Sequence, residues 1–176
     1  MSGSSAKGAR VLLTGCTGFV GKVVLEELLR RREELNIETI NLLIRPRGNK
    51  SPEERFKRLS QSRCFSQLEP GWRKYCQPVA GDMLDDGLGM SESDAERLHK
   101  EVTHLIHCAA SIRFDLPIAD AASINITGAL RVLQFSRACE ALQRLVDVST
   151  AYVTPHPGGG PIEVKEELVP LPFDAA

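Results

Sequence analysis

The residues best suited to chemistry stand near the amino end, in Thr14-Gly15-Cys16-Thr17-Gly18-Phe19-Val20-Gly21. Glycines at 15, 18 and 21 fall between an apolar run and a segment of helical periodicity. A diphosphate needs a turn bare of side chains, so that backbone N–H groups can approach its oxygens, and it gains from the positive end of a helix. The spacing assigns the tight turn to Gly15, close approach to Gly18, and the packing of helix on strand to Gly21. A second candidate is Arg45, at the carboxyl end of the next apolar run. A carboxylate there would bond a ribose 2′-hydroxyl and repel a 2′-phosphate; a guanidinium can bind that phosphate with two parallel hydrogen bonds. Arg47 and Arg55 stand within reach of the same place, Arg47 reading as a solvated surface charge. Small residues at Cys108-Ala109-Ala110 leave room for a ribose, and Ser149-Thr150 offers hydroxyls after a later run.

These residues need a scaffold, and the periodicities describe one. Arg10–Thr14, Thr39–Ile44, Gln77–Ala80, Val102–His107 and Arg144–Val148 read as five strands, the third weakened by Pro78. Between them, Val20, Val23, Val24 and Leu28 predict a first helix. Ser51-Pro52-Glu53-Glu54 predicts a helix start with a capping box. Ser91 or Ser93 caps a short helix to about Lys100. Ile118, Ala121, Ala122, Asn125, Ala129, Val132, Leu133 and Ser136 predict a long helix. Strands alternating with helices imply right-handed crossovers and a parallel sheet. The expected fold class is α/β, a Rossmann-like doubly wound sheet of about five strands in three α/β/α layers, cut off before its later strands. Residues 1–9 read as a flexible N-terminus, 10–154 as the nucleotide-binding domain, and 155–176 as a Pro/Gly-rich loop or tail.

The 176 residues suffice for one domain with a core. With 42% hydrophobic and 26% charged residues the chain is neither disordered nor fibrous. A net charge of -1 supplies no global attraction for nucleic acid, so any anion must be held locally. Five cysteines without a C-x-x-C spacing indicate neither a disulfide framework nor a zinc ribbon, and fit a reducing, cytoplasmic location. His104 and His107, three apart on a strand, point to opposite faces and do not share an ion, so no metal is expected. No apolar run is long enough to span a bilayer.

The Thr14–Gly21 turn resembles the extended short-chain dehydrogenase/reductase superfamily. Leu42-Leu43-Ile44-Arg45-Pro46-Arg47-Gly48, Ser51-Pro52-Glu53-Glu54-Arg55, Gly81-Asp82, His107-Cys108-Ala109-Ala110-Ser111-Ile112-Arg113-Phe114-Asp115, Asn125-x-x-Gly128 and Val148-Ser149-Thr150-Ala151-Tyr152-Val153 narrow the likeness to the fatty acyl-CoA reductases, the male sterility family. The resemblance runs from about residue 10 to 154. It implies NADPH as cofactor, with Thr14, Gly15, Thr17, Gly18, Phe19, Val20 and Gly21 around the diphosphate and Arg45 and Arg55 at the 2′-phosphate. Asp82 and Met83 would stand at the adenine, Cys108, Ala109 and Ala110 beside the ribose, and Asn125 would brace the strand ends near the cofactor. The parent activity it implies is reduction of a fatty acyl thioester to an aldehyde, and onward to a fatty alcohol.

In that superfamily a tyrosine protonates the substrate oxygen, a lysine four residues later lowers its pKa, and a Ser or Thr positions the carbonyl. Thr150 resembles the Ser/Thr member, with Ser149 as its neighbour. No Tyr-x-x-x-Lys occurs here: Tyr75 is followed at the fourth place by Val79, and Tyr152 by His156. The expectation is an incomplete reductase, inactive alone, whose partners are an acyl-CoA or acyl-carrier thioester, the C-terminal half of the same polypeptide, and a second copy across a bare sheet edge. Two further readings stand beside it. One is the thioester reductase domain of a carboxylic acid reductase or nonribosomal peptide synthetase. The other is a non-catalytic NADP sensor that keeps the fold without the tyrosine and lysine.

Overall fold

The computed structural model describes residues 8–150 and Gly160. The strands are β1 (Ala9–Thr14), β2 (Ile37–Ile44), β3 (Cys76–Ala80), β4 (His104–His107) and β5 (Arg144–Asp147). The helices are α1 (Phe19–Arg30), α2 (Pro52–Leu59), α3 (Glu92–Glu101), α4 (Ile118–Ala122) and α5 (Gly128–Arg137). The strands form one sheet in the order β3-β2-β1-β4-β5, every pairing parallel. β3, which carries Pro78, lies at an edge, where a missing N–H is tolerated.

Alternation along the central strands fills both faces. Val11 and Leu13 of β1, with Ile40, Leu42 and Ile44 of β2, pack against Leu25 and Leu29 of α1 and Phe56 of α2. Leu12, Leu43 and Leu105 face the other way, toward Leu98 of α3 and Val132 and Phe135 of α5. Two apolar layers on one sheet make the three-layer α/β/α sandwich, and they explain why these strands read as nearly continuous apolar runs. Asn41, buried on β2, is satisfied by donating to the Val11 carbonyl (3.3 Å) and accepting from Arg97 (3.1 Å).

The charged stretch after β2 folds back as a layer of its own. Ser51 caps α2: its hydroxyl accepts from the Glu54 N–H (3.3 Å), and the Glu54 carboxylate accepts from the Ser51 N–H (3.0 Å). Phe65 stacks on Trp72 at 4.9 Å, with Phe56 edge-on at 6.0 Å.

α1 forms where the spacing predicts: it buries Gly21, Leu25 and Leu29, Val24 and Leu28 pack partly buried against the core, and Val20 and Val23 are half exposed. One sequence expectation needs correction. The long helix is not continuous α: α4 and α5 are joined by a π-helical segment over Ser123–Thr127. Its Ile118 end is exposed, as is Leu133. Residues 155–176, read above as a loop or tail, lie outside the described residues apart from Gly160. Among the described residues no helix is long and apolar enough to cross a membrane.

Candidate functional site

From β1 the chain moves outward to β2 and β3, then returns to place β4 on the other side of β1. The carboxyl ends of β1 and β4 therefore diverge into helices on opposite faces, which opens a crevice between them. A cavity of about 350 Å³ lies there. It is lined by Thr14, Gly15, Thr17 and Gly18 after β1, by Ile44 and Arg45 after β2, by Gly81, Asp82 and Met83 after β3, and by Cys108, Ala109 and Ala110 after β4.

The glycine turn is shaped by the backbone around it. Gly15 has φ +73°, and an added Cβ would lie 2.5 Å from the Cys108 carbonyl carbon and 2.6 Å from the Ala109 nitrogen. Only glycine fits without moving β4. An added Cβ at Gly21 would lie 2.2 Å from the Gly15 carbonyl oxygen, so the first turn of α1 rests directly on the glycine turn. That contact sets the rotation of α1 about its axis. It therefore decides that Leu25 and Leu29, and not Val20 and Val23, face the core.

α1 begins at Gly18, which offers no side-chain cap, and no acidic residue lies in the first turn. α2 and α3 differ: Ser51 and Ser91 each accept from the amide three residues on. The leading amides of α1 thus have no side-chain cap, and they stand beside the cavity at the positive end of the helix dipole. A bare turn, an uncapped helix start and a cavity at the strand ends fit an anionic group such as the diphosphate of a dinucleotide.

A buried clasp holds β1 to β4 beneath this turn. Thr14 Oγ1 lies 2.6 Å from His107 Nδ1 and also accepts the Cys108 N–H at 3.3 Å. The hydroxyl oxygen has a second lone pair beside the one that accepts from Cys108, so either tautomer of the neutral ring can make this bond. Burial pushes the His107 pKa below the usual imidazole range, which favours the neutral ring. His104, one face over, contacts the Thr103 hydroxyl at 2.8 Å instead. Burial pushes the Cys16 thiol up to about 12 and raises Cys108, so neither is an activated nucleophile.

Arg45, largely exposed, approaches Asp82 Oδ2 at 3.4 Å. The other Asp82 oxygen accepts the Leu84 N–H at 3.1 Å. Arg55, from the first turns of α2, donates to the Arg45 carbonyl, which brings a second guanidinium to the end of β2. Asn125 stands in the π-helical segment and spends its amide on the main chain of Ser111, accepting from the N–H (2.8 Å) and donating to the carbonyl (3.0 Å). It steadies a cavity-lining residue without itself lining the cavity.

Several sequence candidates lie outside the cavity wall. Phe19 is largely exposed and Val20 half exposed, while Gly21 is buried under the turn. Ser149 and Thr150 are exposed, just past β5 on the same side of the sheet, and Arg47 is exposed beyond β2. Tyr75 precedes β3 at the amino ends of the strands, opposite the cavity, and stacks under Arg32 at 4.1 Å. Tyr152 falls outside the described residues. The sequence reading missed Leu43, Ile44, Leu84, Ser111 and Ile124 in the wall, and the role of His107. Ile44 and Ser111 directly adjoin residues it did single out, which was a usable signal. Ile124 likewise adjoins Asn125, but the π turn that brings it to the cavity is not visible in the spacing.

Similarities to known proteins agree with this geometry. Residues 13–171 match the model of the NAD-binding family described as male sterility protein. Fatty acyl-CoA reductase 1 of Mus musculus is 32% identical over 149 residues, covering 83% of this chain and 28% of its own length. That of Xenopus laevis is 29% identical over 171 residues, covering 96% and 32%. The chain thus spans less than a third of these curated relatives. Among solved structures, the terminal R domain of the myxalamid PKS-NRPS pathway is similar with a TM-score of 0.73 and 29% identity over 90% of this chain and 39% of that one. A reductase (R) domain of a nonribosomal peptide synthetase from Mycobacterium tuberculosis has a TM-score of 0.63 and 26% identity over 86% and 35%.

Proposed function

The chain belongs to the male sterility family of NAD-binding proteins, and on that premise we propose that it is the coenzyme-binding part of an NADPH-dependent reductase acting on fatty acyl thioesters. The observation that carries this reading is the uncapped start of α1 beside a turn in which Gly15 and Gly21 have no room for a side chain, with Arg45 and Arg55 at the end of the neighbouring strand. The bound coenzyme would supply hydride to the thioester carbonyl carbon.

The chain's own residues hold and orient that coenzyme. Amides around Gly15, Gly18 and the first turn of α1 bind the diphosphate. Arg45 and Arg55 meet the 2′-phosphate, where two guanidiniums attract a dianion and the hydroxyl of the non-phosphorylated coenzyme gains little. Asp82, already oriented by the Leu84 N–H, accepts from the adenine amino group, with Met83 along the ring. Cys108, Ala109 and Ala110 leave space for the ribose, and the Thr14–His107 clasp fixes that wall. Thr150, or its neighbour Ser149, would position the carbonyl oxygen.

Calorimetric titration of the chain with NADPH and NADH tests the reading. NADPH should bind at least about tenfold tighter, equivalent to about 1.4 kcal/mol, and Arg45→Ala should remove most of that margin. Equal affinities would refute the assignment of the 2′-phosphate. A second reading, reduction of a carrier-bound thioester, is favoured by the likeness to the two R domains. Assaying the full-length protein on acyl-CoA against acyl-carrier substrates separates the two.

A further inference from the structure

After β3 the chain closes a small loop on itself before α3 begins. The Asp82 N–H donates to the Leu88 carbonyl (2.8 Å), the Leu88 N–H to the Asp85 carbonyl (3.2 Å), and the Asp85 N–H to the Asp82 carbonyl (3.0 Å). Gly87, Leu88 and Gly89 all take left-handed backbone, with φ of +60°, +59° and +60°. Among the described residues other than glycine, Leu88 shares a positive φ only with Asn36, and asparagine tolerates that region where leucine resists it. Leucine nevertheless stands at a place that glycine would occupy without strain. Its side chain is fully buried in the core layer that holds Leu12, Leu43, Val79, Leu98 and Leu105.

Burial of that side chain offsets the strain, and the result is an anchor. With the side chain fixed in the core, the Leu88 carbonyl is held against the start of the loop, where an added Cβ at Gly81 would lie 2.5 Å from it. On the exposed side, an added Cβ at Gly89 would lie 3.1 Å from the Asp82 nitrogen. Leu88 does not line the coenzyme cavity, but Asp82, Met83 and Leu84 do. The Asp82 main chain is thus set by Leu88, and its carboxylate by the Leu84 N–H at 3.1 Å. Arg131 of α5 ties the far side of the loop, donating to the Leu84 carbonyl and pairing with Asp86 at 3.0 Å. Loss of the anchor would therefore free Asp82 while Leu84 stays tethered.

We propose that Leu88 is a positioning residue for recognition of the coenzyme's base: a buried, left-handed anchor that fixes where the Asp82 carboxylate stands without itself touching the ligand. The inference rests on the coenzyme reading above, in which Asp82 accepts from the adenine amino group, and adds to it the residue that aims Asp82.

The test compares, by calorimetric titration, NADPH with its hypoxanthine analogue, which carries a carbonyl oxygen in place of the adenine amino group. The wild type should bind NADPH about tenfold tighter, the margin of one hydrogen bond to a carboxylate. Leu88→Gly accepts the left-handed backbone but removes the anchor, and should reduce that ratio to about twofold; Leu88→Met, unbranched and apolar, should keep it. Where Leu88→Gly does not fold, Gly89→Ala strains the same closure from the exposed side and should lower the ratio likewise. Amide hydrogen exchange without coenzyme gives a second reading: in Leu88→Gly the Asp82 amide should accelerate about tenfold more than the Leu105 and Ile106 amides of β4. A purely structural Leu88 would weaken both coenzymes alike and leave the ratio at its wild-type value. That result, or an Asp82 amide accelerating no more than those of β4, would overturn the proposal. The coenzyme reading fails separately: a wild type that binds neither coenzyme, or a ratio that survives Asp82→Ala, removes the adenine assignment and with it the role of Leu88, whatever the exchange shows.

Discussion

Gly18→Ala separates the cradle from the scaffold. The backbone at Gly18 is extended (φ -80°, ψ 179°), a conformation alanine adopts freely, and an added Cβ would touch only the Gly15 carbonyl oxygen, at 3.2 Å. Alanine is a poorer N-cap than glycine by up to about 1 kcal/mol, while the loss of freedom in the unfolded chain returns about 0.4–1 kcal/mol. Stability should therefore change by less than about 1 kcal/mol. On the proposed reading, however, the methyl group would crowd a diphosphate oxygen approaching the leading amides of α1. Displacing one charge-assisted hydrogen bond costs about 1.5–3 kcal/mol, or roughly 10- to 150-fold in affinity. Thermal denaturation with and without NADPH reads both effects. At a concentration of 100 times the wild-type Kd the coenzyme stabilises the wild type by about 2.7 kcal/mol; a 30-fold weaker variant gains only about 0.9 kcal/mol. Melting shifts follow at about 2–4 °C per kcal/mol. Gly21→Ala is the contrast: its Cβ would fall 2.2 Å from a main-chain oxygen, so it should lose more than about 2 kcal/mol of stability before any ligand is added. A Gly18→Ala protein that melts like the wild type and keeps the full NADPH shift would refute the placement of the diphosphate at the start of α1.

Because burial depresses the His107 pKa, the unfolded chain binds the proton more readily, and the stability that the neutral ring contributes is complete above its unfolded value and lost as pH falls from there toward its folded value. Denaturant unfolding between pH 7 and 5 should show His107→Gln with the shallower decline, the difference staying below about 1.4 kcal/mol per pH unit for one proton, and His104, depressed in the same direction, keeping part of the slope. Ser51→Ala removes the α2 cap and should lower stability by about 1 kcal/mol. It should also weaken NADPH binding, because Arg55 rides on the first turns of that helix; unchanged titrations would detach Arg55 from the site.

What could be read in advance was what is local. The glycine turn, the Ser51 capping box and the apolar strands follow from neighbouring residues, and each sits within a residue or two of its expected place. Which stripe of α1 is buried deepest was not legible, because Val20 and Val23 are as apolar as Leu25 and Leu29; the deeper stripe is the one that holds Gly21 against the Gly15 carbonyl. The π-helical segment is a one-residue change of hydrogen-bonding register that leaves the apolar spacing almost intact. The approach of Arg45 to Asp82 joins residues 37 apart, and the Thr14–His107 clasp joins residues 93 apart, so both depend on a sheet that must already exist.

That last separation bears on how the chain comes together. β1, β2 and β3 are near neighbours in sequence and can pair early, whereas β4 must close a long loop to reach β1, which is entropically the slow step. The wall formed by Cys108 to Ala110 exists only once that closure is made. During synthesis, then, the nascent half-sheet offers a glycine turn with nothing opposite it, and grip on a coenzyme becomes a report that the two halves have docked.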